Sequence, residues 1–221
     1  MTTMTQTQSD SLGLPKRLRR DAHSRSDADY IKAQATDSSW SSQTAWGEAA
    51  ANKFIEFGRV LKATGQMFHD DTVADFGGND GYAANEFWKA HAIKPLVVDC
   101  EPHRLDHAMK VYGLSTYETF LENMKDLADK SIDWGFCSHT LEHTRDAASA
   151  VREMARVIKR GCLFVLPIED LEHAERNPAH AIHADSLKEW RMLITSNGWR
   201  VKRHGSRRPV RVECYIMGTP K

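Results

Sequence analysis

Strand-like and helical segments alternate along most of this chain, and the alternation constrains the fold more than any other feature. It begins at Ala45, where apolar residues recur at helical spacing as far as Leu61, and Gly65 follows. Further helices are predicted over 82–91, 102–112, 147–158 and 185–197. Short apolar runs predict strands over 72–76, 95–99, 115–120, 131–137, 162–167, 199–204 and 209–217. Alternation of this kind requires crossover connections, so it predicts an α/β fold with a mostly parallel, seven-stranded sheet.

The last two predicted strands lie too close together in sequence for a crossover. Only Gly205 to Arg208 separates them, whereas a parallel pair needs a dozen or more connecting residues. The sheet is therefore predicted to end in a C-terminal antiparallel hairpin.

The first 44 residues differ in composition from the rest of the 221-residue chain. They contain few large apolar side chains, many Ser, Thr, Gln and Asp residues, and a basic cluster within 16–20. Such a segment cannot bury enough apolar surface to offset the entropy lost on ordering. We predict a flexible, disordered N-terminal tail over 1–44 and one domain over 45–221.

The formal net charge of zero is a cancellation between two regions. Residues 45–198 carry 17 basic and 24 acidic side chains, whereas residues 199–221 carry seven and one. This balance argues against a protein that coats nucleic acid, but it leaves a local basic patch on the predicted hairpin.

Composition also favours a cytoplasmic location. No run of about 18 apolar residues predicts a membrane span, and the Met-, Thr- and Gln-rich start lacks the apolar core of a secretory signal. The cysteines form no CxxC pair and are predicted to be buried, reduced thiols; they are Cys100, Cys137, Cys162 and Cys214.

A glycine-rich turn between the first predicted strand and its helix is the main functional signal. Glycines there let the backbone approach a ligand, and the free amides at the helix start favour polar or anionic groups. Asp99 ends the second predicted strand 18 residues after Gly81, where an acid can accept hydrogen bonds from a ribose. Neither GxGxxG nor the Gly-Lys-Ser/Thr of a P-loop occurs in this turn, which argues against a nicotinamide site and a P-loop.

The turn, Asp75-x-Gly77-x-Asn79-x-Gly81, resembles the first motif of the class I S-adenosylmethionine-dependent methyltransferases, an acid followed by GxGxG. Asn79 replaces the middle glycine, and asparagine tolerates left-handed backbone better than most residues. Further segments resemble that family in the same order, namely 97–102, 130–136, 139–143, 156–161 and 197–201. The resemblance spans about residues 70–217. It implies the Rossmann-like class I methyltransferase fold and, through Leu141-Glu142-His143, the small-molecule, type 11-like branch.

The resemblance also implies S-adenosyl-L-methionine as cofactor, with contacts from four segments. The implied residues are Asp75, Gly77, Gly78, Asn79 and Gly81 in the turn, Asp99 and Cys100 after the second strand, Asn123 and Met124 after the third, and Ser138 and His139 after the fourth. Asp99 would hold the ribose hydroxyls, with Glu101 as the alternative. Asn123 and Met124 would contact the adenine amine and ring, or they would belong to a surface helix that contacts no ligand.

His139 is the candidate catalytic residue. Methyl transfer from a sulfonium needs mainly alignment and, for a poor nucleophile, removal of a proton. A neutral imidazole is a natural base for that proton. His139 would therefore orient or deprotonate the acceptor, or it would line the cofactor pocket with Ser138. The neighbouring His143 is predicted to be a helix-start or packing residue.

A competing metal interpretation of the same segment is not favoured. His139-x-x-Glu142-His143 fits the HxxEH pattern of one zinc peptidase class, but that motif must lie in a helix, and here it follows a predicted strand. No metal is therefore predicted. The later residues His173, His180 and His183, with Arg176, match no firm ligand spacing and are predicted to line the substrate side.

A small-molecule acceptor is expected. The Asp/Asn-Pro-Pro-aromatic motif of amino-methylating DNA enzymes is replaced by Ser138–Leu141, and no Pro-Cys pair occurs, so a nucleic-acid acceptor is possible but not favoured. The alternative is a catalytically silent module that binds nucleic acid or protein through the basic hairpin residues Arg200, Lys202, Arg203, Arg207, Arg208 and Arg211. Alternation would split these between two faces, which also suits a charged edge that discourages strand addition. The sequence predicts no oligomeric state.

Overall fold

One mixed sheet of seven strands organises the part of the chain that the computed structural model describes, residues 45–169, 180–207 and 212–221. The strands are β1 (Val73–Phe76), β2 (Leu96–Asp99), β3 (Ser115–Glu118), β4 (Ile132–Ser138), β5 (Ile158–Ile168), β6 (Trp199–Arg207) and β7 (Val212–Pro220). Their order across the sheet is β3-β2-β1-β4-β5-β7-β6.

Strands β1 to β5 run parallel to one another, and β7 lies antiparallel between β5 and β6. The predicted α/β fold with a mostly parallel sheet and a C-terminal antiparallel hairpin is therefore confirmed. The predicted tail over 1–44 lies outside the described residues, as does the connection 208–211.

Helices pack on both faces of the sheet. They are α1 (Ala45–Ala63), α2 (Tyr82–His91), α3 (Pro102–Tyr112), α4 (Ala147–Val157) and α5 (Leu187–Ser196), and a 3-10 turn spans Leu141–His143. On one face, Phe54 of α1 stacks on Phe87 of α2 at 4.2 Å and on Phe136 of β4 at 4.3 Å between ring centroids. On the other face, α4 and α5 bury apolar residues that include Met154 and Trp190. On each face of the sheet, an apolar core thus holds the helices against the strands.

The start of β5 differs from the sequence prediction. Helix α4 ends at Val157 and the strand begins at Ile158 without a loop, because Ile158 is already extended while its amide still donates to the Met154 carbonyl. Gly161 lies within this strand and not between the helix and the strand. A Cβ at this position would lie 2.9 Å from Trp134 and 3.0 Å from the Gly218 carbonyl, so the glycine serves close packing inside the sheet.

The four cysteines are free, as predicted, and Cys137, Cys162 and Cys214 are buried. Cys100 is only half-buried, which differs from the prediction. Burial raises the pKa of the Cys214 thiol to about 12, which keeps it protonated and unreactive. In the described segments, no helix combines the length and the apolar character needed to cross a bilayer.

Candidate functional site

A cleft opens where β1, β2 and β4 end, beneath the first turns of α1. Carboxyl ends of parallel strands are where ligands of open α/β sheets collect. The cleft is lined by Trp46, Gly47, Ala50, Lys53, Asp75, Gly77, Gly78, Asn79, Asp80, Tyr82, Ala83, Asp99, Cys100, Arg104, Phe136, Ser138, His139, Thr140 and His143. Three of the four segments predicted to contact a cofactor therefore meet here.

The glycine-rich turn has the left-handed backbone that its sequence suggests. Gly77, Asn79 and Gly81 have φ values of 73°, 54° and 81°, and Asn79 is the one of the three that carries a side chain. A Cβ on Gly77 would overlap the Thr140 side chain, and a Cβ on Gly81 would lie 2.7 Å from the Ala108 Cβ. Gly81 precedes the first residue of α2 and supports the turn from behind rather than lining the cleft.

Asp99 is fixed at the end of β2 by backbone amides. Its Oδ2 accepts from the Asn79 amide at 2.9 Å and its Oδ1 from the Glu101 amide at 3.0 Å. Burial raises the pKa of Asp99, and these two bonds oppose the rise. A carboxylate offers about four acceptor positions, so Asp99 keeps acceptor capacity toward the cleft.

Glu101, the alternative to Asp99, is already engaged elsewhere. It caps α3 by accepting from the His103 and Arg104 amides at 3.3 and 2.9 Å. Its side chain is buried, and it does not line the cleft. Of these two acids, Asp99 therefore lines the cleft and Glu101 does not.

Asp75 and Ser138 are buried polar groups at the floor of the cleft. Burial, and then the nearby carboxylates Asp99 and Asp80, raise the pKa of Asp75 to about 8. Ser138 Oγ is buried and has no hydrogen-bond partner among the described residues. An unpaired buried hydroxyl costs about 1–3 kcal/mol, which a polar ligand in the cleft would relieve.

His139 follows β4 with a left-handed φ of 51° and lies between two carboxylates. Its Nε2 is 2.9 Å from Glu213 Oε1 and its Nδ1 is 3.2 Å from Glu142 Oε1. Burial by itself would lower the pKa of His139, but the two carboxylates outweigh it and raise the pKa to about 9. An imidazolium cannot accept a proton, so the arrangement does not support a neutral base and favours the alternative in which His139 lines the cleft.

Lys53 and Glu213 also belong to the group of side chains around His139. The sequence did not predict either of them, because both are distant from His139 in the chain. Lys53 of α1 pairs with Glu213 of β7 at 2.8 Å, across 160 positions. The bonds from His139 and Lys53 lower the pKa of Glu213 to about 2 against the effect of its burial. No local pattern marks either residue, since each gains its role only when α1 and β7 meet at the end of β4.

Asn123 and Met124 lie elsewhere, and their predicted adenine contacts are not supported. Met124 is fully buried in the core on the α4 side of the sheet, with its amide donating to Glu153. The side chain of Asn123 is exposed, and neither residue lines the cleft. Because the third strand is short, its sequence does not fix the position of the segment that follows it.

His180 and His183 are also placed differently from the prediction. His180 and His183 are buried, with 4% and 9% exposure, and neither lines the cleft, so they do not form a substrate-facing surface there. His143 is buried against His180, as expected of a packing residue. His173 and Arg176 fall outside the described residues.

A larger groove follows β5 and β7 beside α1, over residues that include Phe57, Leu163 and Met217. It runs along the sheet face, away from the glycine turn and the end of β2. The smaller cleft is therefore the candidate functional site, since the polar groups converge there.

On the edge strand β6, the predicted basic residues Arg200, Lys202 and Arg203 are exposed. The side chains of residues 207, 208 and 211 lie outside the description.

Residues 74–166 match the sequence model of a methyltransferase domain. The chain is 26% identical over 164 residues to the uncharacterized methyltransferase YcgJ of Bacillus subtilis; the alignment covers 64% of this chain and 62% of YcgJ, less than two thirds of that protein. The crystal structure of YcgJ is similar, with a TM-score of 0.62 at 16% identity over 79% of this chain and 99% of that one.

Two structures with named substrates have the same fold. Magnesium protoporphyrin IX methyltransferase of Synechocystis, with bound S-adenosylhomocysteine, has a TM-score of 0.61 at 14% identity, covering 91% of this chain and 98% of that one. Geranyl diphosphate C-methyltransferase of Streptomyces coelicolor has a TM-score of 0.60 at 9% identity over 75% and 80%. The chain thus matches a methyltransferase domain model over residues 74–166 and shares the Rossmann-like fold of these methyltransferases.

Proposed function

We propose that the protein is an S-adenosylmethionine-dependent methyltransferase that acts on a small-molecule acceptor. The observation that carries the proposal is the Asp99 carboxylate, held by the Asn79 and Glu101 amides beside a glycine turn in left-handed conformation. A fixed acid at the end of β2, next to such a turn, is the arrangement that holds a ribose diol.

The residues of the cleft fit this cofactor in kind. Asp99 would accept from the ribose hydroxyls and Cys100 would lie along the adenine. The backbone of 77–79 would approach the methionyl part, and Asp75 and Ser138 would offer it polar partners. Bound in this way, the cofactor would supply a methyl group on a positively charged sulfur, which needs alignment more than activation.

His139 would form one fixed, positively charged side of the cleft. Because both of its ring nitrogens face carboxylates, it would shape the cleft and would not remove a proton from the acceptor. An acceptor that must lose a proton would give it to another group or to water.

The small-molecule part of the proposal has separate support. The segment after β4 lacks the Asp/Asn-Pro-Pro-aromatic motif of amino-methylating DNA enzymes, and the sequence has no Pro-Cys pair. The two neighbours with named substrates act on a porphyrin and on a prenyl diphosphate, although their similarity to this chain establishes only a shared fold. No observation in the described segments favours the basic-hairpin alternative over exposed charge on an edge strand.

Calorimetric titration with S-adenosylhomocysteine tests the cofactor. The wild type should bind one equivalent, Asp99→Ala should bind at least about tenfold more weakly, and the exposed control Asp126→Ala should match the wild type. Absence of binding to folded wild-type protein would contradict the proposal.

The acceptor is tested by incubating the protein with methyl-labelled cofactor and a fractionated cell extract. Label is expected in the small-molecule fraction. Label in the nucleic-acid or protein fraction alone would leave the cofactor assignment standing and overturn the small-molecule acceptor.

A further inference from the structure

Next to the cleft, five histidine and glutamate side chains, four of them buried, form a cluster to which the proposed methyl transfer assigns no role. They are Glu142, His143, Glu169, His180 and His183. Glu142 and His143 belong to the 3-10 turn after β4, Glu169 follows β5, and the two other histidines precede α5. We propose that Glu142, His143 and His180 bind one divalent transition-metal ion, with Glu169 as the positioning residue.

The first argument is the convergence of ligand atoms. Glu142, His143 and His180 each place one possible ligand atom within 4.8 Å of the others, and all three are buried. A carboxylate with two imidazoles suits Mn²⁺, Fe²⁺, Co²⁺ or Zn²⁺ better than the oxygen-only sites of Ca²⁺.

The second argument is the state of Glu142. Its side chain has 0% exposure, and both carboxylate oxygens are buried without a hydrogen bond in the described segments. Oε1 has an ion-pair contact, 3.2 Å from His139 Nδ1, whereas Oε2 has no such contact there. A buried carboxylate is costly unless it is paired or coordinates a cation. His139 pairs with Oε1 alone, so Oε2 is the oxygen placed to bind a cation.

The third argument is the orientation of His180. Its Nδ1 lies 2.7 Å from Glu169 Oε2, and a bond of this kind fixes the tautomer so that the other ring nitrogen can bind a metal. His183 Nδ1 shares the same Glu169 oxygen at 3.2 Å, and its Nε2 is buried with no hydrogen-bond partner among described residues. His183 therefore stands beside the three ligands as a candidate fourth.

The backbone holds this cluster together. The Glu142 carbonyl accepts from the Ala181 and Ile182 amides at 2.7 and 3.0 Å, and the Glu169 amide donates to Ala184. The segment 180–184 is therefore tied to both the turn after β4 and the end of β5, which keeps the ligand side chains in register. His143 also lines the cleft, so the cation would lie one side chain away from it.

Metal binding can be tested without any methyl transfer. Tag-free, full-length protein is treated with a chelator, dialysed and titrated with Co²⁺, while visible absorption, which reports histidine and carboxylate coordination, is recorded. The wild type should bind one equivalent with a rise in melting temperature. Glu142→Gln and His180→Gln should each bind at least tenfold more weakly, and Glu169→Gln about 10- to 100-fold more weakly.

The control is His103→Ala, which removes an exposed histidine and should bind like the wild type. Circular dichroism of each variant verifies folding; if Glu142→Gln does not fold, the comparison of His180→Gln and Glu169→Gln with the wild type decides. Chelator-treated wild type that takes up no Co²⁺ would overturn the proposal, as would equal binding by the wild type and the folded ligand variants. Either result would leave the cofactor proposal intact, because binding of S-adenosylhomocysteine to the wild type is measured in a separate titration.

Discussion

At the scale of single residues, the carboxyl groups of the site differ in their partners and in their surroundings. Asp99 accepts two backbone amides, Glu213 pairs with two cations, and Asp75 is buried beside other acids. The sequence could predict Asp75 and Asp99 because their positions after β1 and β2 are local features. It could not predict the charge of His139, because Glu213 reaches that ring from 74 positions away.

Asp75 leads to a prediction about stability and pH. Its pKa of about 8 in the folded protein exceeds the ordinary value of 3.8, so between these values the folded state holds a proton that the unfolded state has lost. Stability therefore falls as pH rises from about 4 to about 8. Asp75→Asn should remove this fall and be more stable than the wild type at pH 9, as measured by urea unfolding at several pH values. Asp126→Asn, at an exposed position, should keep the wild-type profile; an equally steep profile in Asp75→Asn would contradict the prediction.

At the scale of elements, the sequence predicted each strand and helix of the described segments to within a few residues. Periodicity and glycine or proline boundaries are local signals, and they sufficed for α2 and α3, whose limits agree with the prediction. The start of β5 could not be predicted, because Gly161 is selected by contacts with Trp134 and Gly218 that form only in the sheet. His180 and His183 lacked a ligand spacing for a similar reason, since their partners Glu142 and Glu169 lie on other segments.

Two glycines with left-handed backbone allow the cost of backbone strain to be measured apart from the cost of overpacking. Gly113 has a φ of 66° and open space around its missing Cβ, whereas a Cβ on Gly81 would lie 2.7 Å from Ala108 and 2.9 Å from Leu114. Gly113→Ala should cost about 1–2 kcal/mol, the strain of left-handed backbone. Gly81→Ala should cost a further 1–3 kcal/mol or so from overpacking between α2 and α3. Urea unfolding of both variants measures the difference, and equal losses would show that the contact with α3 yields freely.

The first turn of α1 should move when the cofactor binds. The cleft encloses about 130 Å³, whereas ligand pockets usually begin at about 300 Å³. Trp46 lies across the cleft with its ring edge-on to His139, at 5.9 Å between ring centroids. S-adenosylhomocysteine should therefore change the fluorescence of Trp46. The change should be lost in Trp46→Phe and kept in the control Trp88→Phe; an unchanged response in Trp46→Phe would mean that α1 stays in place.

At the scale of the whole molecule, residues distant in sequence close the site. Helix α1 supplies Lys53, β4 leads to His139, and β7 brings Glu213, so the described domain must be assembled before the cluster exists. Such contacts are invisible to local patterns, which explains why the fold could be predicted more completely than the site.

The ion pair between Lys53 and Glu213 should couple the first described helix to the last strand. The two side chains are only 25% and 18% exposed, so water screens them less than an exposed pair. A double-mutant cycle with Lys53→Met and Glu213→Gln should give a coupling free energy of about 1–3 kcal/mol in urea unfolding. The control cycle on the exposed pair Arg59 and Glu56, 72% and 53% exposed, should give about 0.5 kcal/mol or less. Since Glu213 also contacts His139, the cycle is needed to separate the two contacts. Equal coupling in both cycles would mean that α1 is held to the sheet by its apolar face alone, through residues such as Phe54.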